Sequence, residues 1–155
     1  MKLRLLAVGT RMPDWVTTGY EDYAKRLSGD ISLDLVEISA GRRLKGTDLA
    51  RLKEEEGDAL LAALRPQERV IALDVPGRQM ATEDLAATLK DWQVDGRPAA
   101  ILIGGPEGLS RRALDRADEK WSLSRLTLPH PLVRIVIAEQ LYRAWSLLKG
   151  HPYHR

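Results

Sequence analysis

The sequence predicts an α/β fold in which a mainly parallel sheet carries helices on both faces. Two observations lead there. LRLLAV at 3–8, RVIALDV at 69–75 and AAILIG at 99–104 have the length and continuous hydrophobicity of strands buried on both sides. Between them lie segments whose apolar residues recur at three- and four-residue spacing, and alternation of strand and helix builds parallel sheets through crossover connections. A chain of 155 residues buries roughly 68 to 70 % of the surface its unfolded form exposes. With no repeat, low-complexity tract or linker, one domain over residues 1–155 is expected.

Each element follows from its residues. After the strand at 3–8, Trp15, Val16, Gly19, Tyr20, Tyr23, Ala24 and Leu27 mark a helix that follows Pro13 and stops near Gly29. ISLDLVEI at 31–38 alternates apolar and polar residues, as a strand with one solvated face does. A second helix runs from about Thr47 to Leu64, ended by Pro66. The strand at 69–75 is closed by Pro76 and Gly77, and Thr82 caps a third helix, with Glu83 and Asp84 at the positive end of its dipole. The strand 99–104 is followed by a short helix from about Ser110 to Ala117, then by the extended stretch WSLSRLTLPHP, and last by a long helix from about Pro131 to Lys149.

That last helix carries Glu139, Gln140, Arg143 and Ser146 on one narrow face. Ile137, Ala138, Leu141, Ala144, Trp145 and Leu148 cover most of the rest, more apolar surface than one sheet face takes. It is therefore expected to pack on the sheet and also on an identical subunit across a two-fold axis, with a wholly intramolecular core as the alternative.

Composition narrows the chemistry. There is no cysteine, so disulfides, thiolate zinc sites and cysteine nucleophiles are excluded, and no metal is expected. No apolar stretch approaches the ~20 residues of a membrane helix, because Arg134 interrupts the longest candidate, and MKLRLLAVGT lacks a cleavage site. A soluble, cytoplasmic protein without a membrane partner is expected. The net charge of +2 permits nucleic-acid binding without arguing for it. Arg42, Arg43 and Lys45 in SAGRRLKGT, and Lys149, His151, His154 and Arg155 at the end, are either solvated groups or phosphate contacts.

The stretch ILIGGPEGLS at 101–110 leaves the carboxyl end of a strand, where open α/β sheets bind ligands. It is not a phosphate cradle. Five residues after Gly104 stands Leu109 rather than the lysine sequence of a P-loop, and Pro106 stands where a dinucleotide loop needs its second glycine. Pro106 also removes a donor, and Glu107 adds a negative charge. The loop suits a cationic, phosphate-free ligand, or else it is a tight turn with Glu107 at the next helix N-terminus. GxSxG and HExxH are absent, and the histidines, His130, His151 and His154, all lie late in the chain.

Four segments, KLRLLAVGTRMPDW, IGGPEGLS, LSRLTLPHPLVRIVIAEQLYRAW and HPYHR, resemble at matching spacing the SPOUT class of S-adenosylmethionine-dependent RNA methyltransferases. The resemblance covers essentially the whole chain. It implies a C-terminal trefoil knot, which base rates of protein topology would reject, and a homodimer with the knots at its interface. It also implies methyl transfer from S-adenosylmethionine to N3 of a pseudouridine in 23S ribosomal RNA, within the ribosome. A non-catalytic ribosome-associated RNA-binding module is the alternative.

Carried over by motif, the cofactor site falls on Leu73, Gly104, Leu123, Ser124, Arg125, Leu126, Thr127 and Leu128. Apolar side chains and free backbone groups there would enclose an adenine, and the sulfonium tolerates Glu107 nearby. From its residues alone, 123–128 reads as a core strand, against which Arg125 argues. The ring N–H that is methylated needs a proton acceptor, and the tail HPYHR offers His154 as base and Arg155 as clamp, or phosphate contacts only. Arg134 is either a partner or RNA contact or a satisfied structural arginine.

Overall fold

The computed structural model describes residues 1–154, with His154 described by its backbone alone. Five parallel strands, β1 (Lys2–Val8), β2 (Ser32–Ile38), β3 (Arg69–Arg78), β4 (Ala99–Ile103) and β5 (Glu119–Trp121), form one sheet in the order β2-β1-β4-β3-β5. Five helices connect and follow them: α1 (Asp14–Ala24), α2 (Leu49–Ala62), α3 (Thr82–Asp95), α4 (Arg111–Arg116) and α5 (His130–Leu148). A 3-10 turn over Pro152–His154 follows.

Because side chains alternate across a strand, a continuously apolar strand supplies two cores at once. Leu3, Leu5, Ala7, Ile71 and Ile101 meet Tyr20, Leu89, Trp92, Ile137 and Leu141 from α1, α3 and α5. Leu6, Val8, Val70, Ala100 and Leu102 face the other way, onto Leu60 of α2 and Ala113 of α4. The amphipathic strand 32–38 lies at the sheet edge, as its polar alternation requires.

Several boundaries differ from expectation. α1 stops at Ala24, where three-residue hydrogen bonds, Arg26 N–H to Tyr23 O and Leu27 N–H to Ala24 O, tighten the chain before Gly29 turns it at φ 72°. Ala81, not Thr82, caps α3, because the Asp84 carboxylate accepts the Ala81 N–H at 3.0 Å. Pro76 and Gly77 do not close β3. The strand continues to Arg78 through an irregularity in its pairing with β5, and a Cβ on Gly77 would lie 2.8 Å from the Lys120 carbonyl. The fifth strand is Glu119–Trp121, and the stretch 123–128 is a loop rather than a core strand. On α5, Ser146 is buried and donates to the Arg143 carbonyl, so it is not part of a solvated stripe.

Arg134 proves to be a structural arginine. It is 2 % exposed, and donates to Glu37 and to the Gly9 carbonyl, each at 2.7 Å, tying α5 to the carboxyl ends of β1 and β2.

At the opposite end of the sheet Arg4 reaches Glu68 at 2.6 Å, and Glu68 also accepts the Arg65 N–H. Burial alone would raise the Glu68 carboxyl, but the bond from Arg4, the Arg65 N–H and the guanidinium charge outweigh it and hold it below the usual range. Its folded value therefore lies below the unfolded one, about 4.3. The stabilisation is present above that pH and is lost as pH falls through the folded value. Glu68→Ala leaves a buried guanidinium unpaired and is expected to cost about 3 kcal/mol or more in chemical unfolding. Glu68→Gln is expected to flatten the acid side of the stability profile measured from pH 7 down to pH 3.

Candidate active site

A cleft of about 480 Å³ opens at the carboxyl ends of β3 and β4. Leu73, Asp74 and Val75 of β3 form one wall, and Gly104, Gly105, Pro106 and Gly108 another. Leu123, Ser124, Leu126, Thr127 and Leu128 of the loop after β5 form a third, and the start of α5, from Pro129 through His130 and Pro131 to Val133, closes it. The volume is that of a small-molecule site. Of the residues assigned from sequence, Leu73, Gly104, Leu123, Ser124, Leu126, Thr127 and Leu128 all line this cleft. Arg125 does not, and it is exposed.

The glycine loop is shaped by close backbone approach. Gly108 donates its N–H to the Gly105 carbonyl at 2.9 Å and holds φ at 84°, a left-handed conformation that glycine adopts without strain. A Cβ on Gly104 would lie 2.6 Å from the Gly108 carbonyl oxygen and 2.7 Å from the Leu109 nitrogen, so no side chain fits there. Ser110 then caps α4 by accepting the Ala113 N–H.

The charges of the loop are arranged differently from the expectation. Glu107 neither lines the cleft nor sits free. It accepts from Arg43 at 2.7 Å, and Arg43 also reaches Glu56 of α2 at 2.7 Å. Arg43 donates besides to the Gly41 carbonyl, while Glu56 accepts the Gly41 N–H. The hydrogen bonds that Arg43 donates to Glu56 and Glu107 raise its guanidinium above its ordinary value and keep it charged. Arg43 is thus removed from the predicted set of phosphate contacts, while Arg42 and Lys45 stay exposed.

Asp74 is the one carboxylate among the cleft-lining residues, and no lysine or arginine lines it among the described residues. His130 lines it too, with Nδ1 buried and without a hydrogen-bond partner. Burial, reinforced by the charges of Arg134 and Arg43, lowers its pKa below the ordinary histidine value, so its imidazole is neutral at pH 7. Sequence reading missed Asp74, Pro106 and His130 as wall residues. Their signal was position: Asp74 follows Leu73 in β3, Pro106 lies in the loop after β4, and His130 stands between two prolines that start a helix.

The tail lies elsewhere in the same chain. Tyr153 donates to Glu139 at 3.0 Å and sets its ring edge-on to Tyr142, while His151 packs on Trp145. At 1.5 Å per residue, Glu139 is about 9 Å further along α5 than Val133, the last wall residue. Arg155 lies outside the described residues, as does the His154 side chain.

A family model described as "Predicted SPOUT methyltransferase" matches residues 1–154. The chain belongs to the SPOUT methyltransferase family. A curated relative from Chromohalobacter salexigens, named "Ribosomal RNA large subunit methyltransferase H", is 63 % identical over 155 residues, covering 100 % of both chains. A solved structure, described as that of "a probable methylase family protein from Haemophilus influenzae Rd KW20", superposes with a TM-score of 0.55 at 14 % identity. It covers 99 % of this chain and 70 % of the other, a likeness of fold. In this SPOUT methyltransferase, the cleft between the glycine loop and the loop after β5 brings together Leu73, Gly104, Leu123, Ser124, Leu126, Thr127 and Leu128.

Substitutions at Gly104 and Arg43 test how that cleft is held. Gly104→Ala is expected to cost about 1–3 kcal/mol in urea unfolding, because only backbone can move to admit the methyl. Arg43→Ala strands Glu56, whose side chain is 6 % exposed, and is expected to cost about 3 kcal/mol. Lysine at 43 restores only part of this, lacking the fork that reaches two carboxylates.

Proposed function

We propose that this protein transfers a methyl group from S-adenosylmethionine to N3 of a pseudouridine in 23S ribosomal RNA, acting on the ribosome in the cytoplasm. The observation that carries the reading is the full-length 63 % identity to a relative named for large-subunit ribosomal RNA methylation, supported by a cleft that Leu73, Gly104, Leu123, Ser124, Leu126, Thr127 and Leu128 line. Among the described residues no helix is long and apolar enough to cross a membrane.

The residues present fit such a cofactor. Among the described residues no lysine or arginine lines the cleft, so a ligand without phosphate is accommodated, and Asp74 offers a negative neighbour to a positive centre. Leu73, Gly104, Leu123, Ser124, Leu126, Thr127 and Leu128 would hold the nucleoside and amino-acid parts, with Arg125 contributing through its backbone. When bound, the cofactor supplies an electrophilic methyl carbon. The protein's share is orientation, since displacement at carbon needs nucleophile and leaving group in line.

The ring N–H is largely protonated at neutral pH, so its proton has to be accepted as the new bond forms. His154 takes that proton and Arg155 steadies the developing charge. The described part of the tail packs about 9 Å along α5 from the cleft of its own chain. In this reading the tail that reaches the reacting atoms comes from a second copy, and the working unit is a homodimer built on α5. We propose further that residues 1–155 form one domain with the family's trefoil knot. Arg42 and Lys45 contact RNA phosphates.

Mass spectrometry of ribosomal RNA after incubation with ribosomes and S-adenosylmethionine is expected to show one new methylated pseudouridine in 23S RNA. No new methyl group, with calorimetric binding of the cofactor also absent, would leave an RNA-binding module instead. Removal of residues 151–155 is expected to abolish turnover while cofactor affinity stays within about threefold. Full turnover by the truncated protein at saturating ribosomes would exclude a catalytic tail.

A further inference from the structure

The positions assigned to the cofactor stand on β3, on the glycine loop and on the loop after β5, and none of them stands on α5. The wall that α5 adds to the cleft consists of His130, Pro131 and Val133, of which His130 alone has a side chain able to hydrogen-bond. A two-substrate reaction needs room for an acceptor beside the methyl donor, and this wall is the part of the cleft that the donor's positions leave to it.

His130 opens α5 between Pro129 and Pro131, whose rings fix the backbone on either side of it. Its Nδ1 is buried without a hydrogen-bond partner, yet the residue lines the cleft, so the ring turns its Nε2 edge to the cavity. A Cβ built on Gly9 would lie 3.4 Å from both His130 Cε1 and Arg134 Nη2, so the imidazole and the guanidinium close on one point of the loop after β1. Burial first, then Arg134 of α5 and Arg43 of the loop after β2, disfavour a charged imidazole and outweigh Glu56 of α2 and Glu107 of the glycine loop. A neutral imidazole carries one N–H. On Nδ1 that hydrogen would be buried with no acceptor, whereas a bare Nδ1 lone pair is favoured by the arginine charges. The hydrogen therefore stands on Nε2, where it faces the cleft as a donor.

We infer that His130 is a catalytic residue on the acceptor side of the site, donating its Nε2–H to a ring carbonyl oxygen beside the pyrimidine N3 that is methylated. The inference rests on the RNA methylation proposed above and adds a group that holds the target ring. As the N3 proton is taken, the electron pair left on N3 spreads onto the two flanking carbonyl oxygens; it then closes the bond to the methyl carbon while the carbon–sulfur pair returns to sulfur. A neutral N–H donor fixed at one of those oxygens strengthens as that charge grows and adds no positive charge beside the sulfonium. The contact lies inside the cleft and is compatible with a second copy packed on α5.

Turnover on ribosomes, calorimetry with S-adenosylmethionine and the imidazole ¹⁵N resonances test this together. His130→Phe, which keeps a ring and loses the donor, is expected to lower kcat about a hundredfold while cofactor affinity and cosedimentation with ribosomes stay within about threefold. His130→Gln, whose amide N–H stands near the Nε2 position, is expected to recover most of the lost turnover, and His130→Asn, whose amide falls near Nδ1, little of it. The unaltered protein is expected to show the imidazole proton on Nε2 at pH 7. Full turnover by His130→Phe, or a proton found on Nδ1, overturns the contact alone. So does a loss of cofactor affinity of about tenfold or more in His130→Phe, which would assign the imidazole to the methyl donor instead. If the unaltered protein methylates no ribosomal RNA, the underlying reading falls and the contact with it.

Discussion

Arg43 joins three parts of the chain: its own loop, α2 and the glycine loop. Its guanidinium takes a carboxylate from α2 on one side and one from the glycine loop on the other, and its own loop is pinned by the Gly41 bonds to both members of the pair. The carboxylate of Glu56 is nearly sealed from water, so each lost contact would leave an uncompensated charge. Such an arrangement contributes less to net stability than to uniqueness, since a hydrophobic cluster of equal volume could pack in several ways and this fork cannot. A Cβ on Gly105 would lie 3.1 Å from the Glu56 carboxylate and 3.4 Å from Arg43, so the glycine loop rests directly on the ion pair. The cleft wall is thereby fixed from behind, by charges that do not enter it.

This separation explains how a loop bearing a glutamate can border an apolar cleft. Glu107 is engaged by Arg43, and among the described residues the cleft is left with Asp74 alone among carboxylates. Its shape then comes from backbone proximity, Gly104 against Gly108 and Leu109, rather than from side chains. A pocket built this way discriminates by contour and by free backbone groups, which suits a ligand with a flat aromatic part and no phosphate.

α5 links the site to the rest of the fold. Its first turn closes the cleft with His130 and Val133, and Arg134, one position on, anchors the helix to Gly9 and Glu37. Its far half receives the tail through Glu139, Tyr142 and Trp145. The same anchor fixes the loop after β1, which leads into α1. Movement of α5 would therefore disturb the cleft and the tail seat together.

Four of the strands, the helices between them and the parallel class were readable in the residues, because hydrophobic period and turn chemistry are local properties, whereas the cofactor positions came from the resemblance to the SPOUT class. So was the exclusion of a phosphate cradle, since Pro106 lacks a donor wherever it is placed. Other features were decided only when distant segments met. A three-residue strand such as β5 has too few residues for a period, and Pro76 and Gly77 read as a stop until β5 pairs across them. Arg42, Arg43 and Lys45 look alike in sequence, yet Arg43 is bound by carboxylates 13 and 64 residues away while its neighbours face water. Ion pairing, burial and the seat of the tail depend on separations in space that a linear pattern does not encode, so the chemistry of the site was local in its motifs and tertiary in its charges.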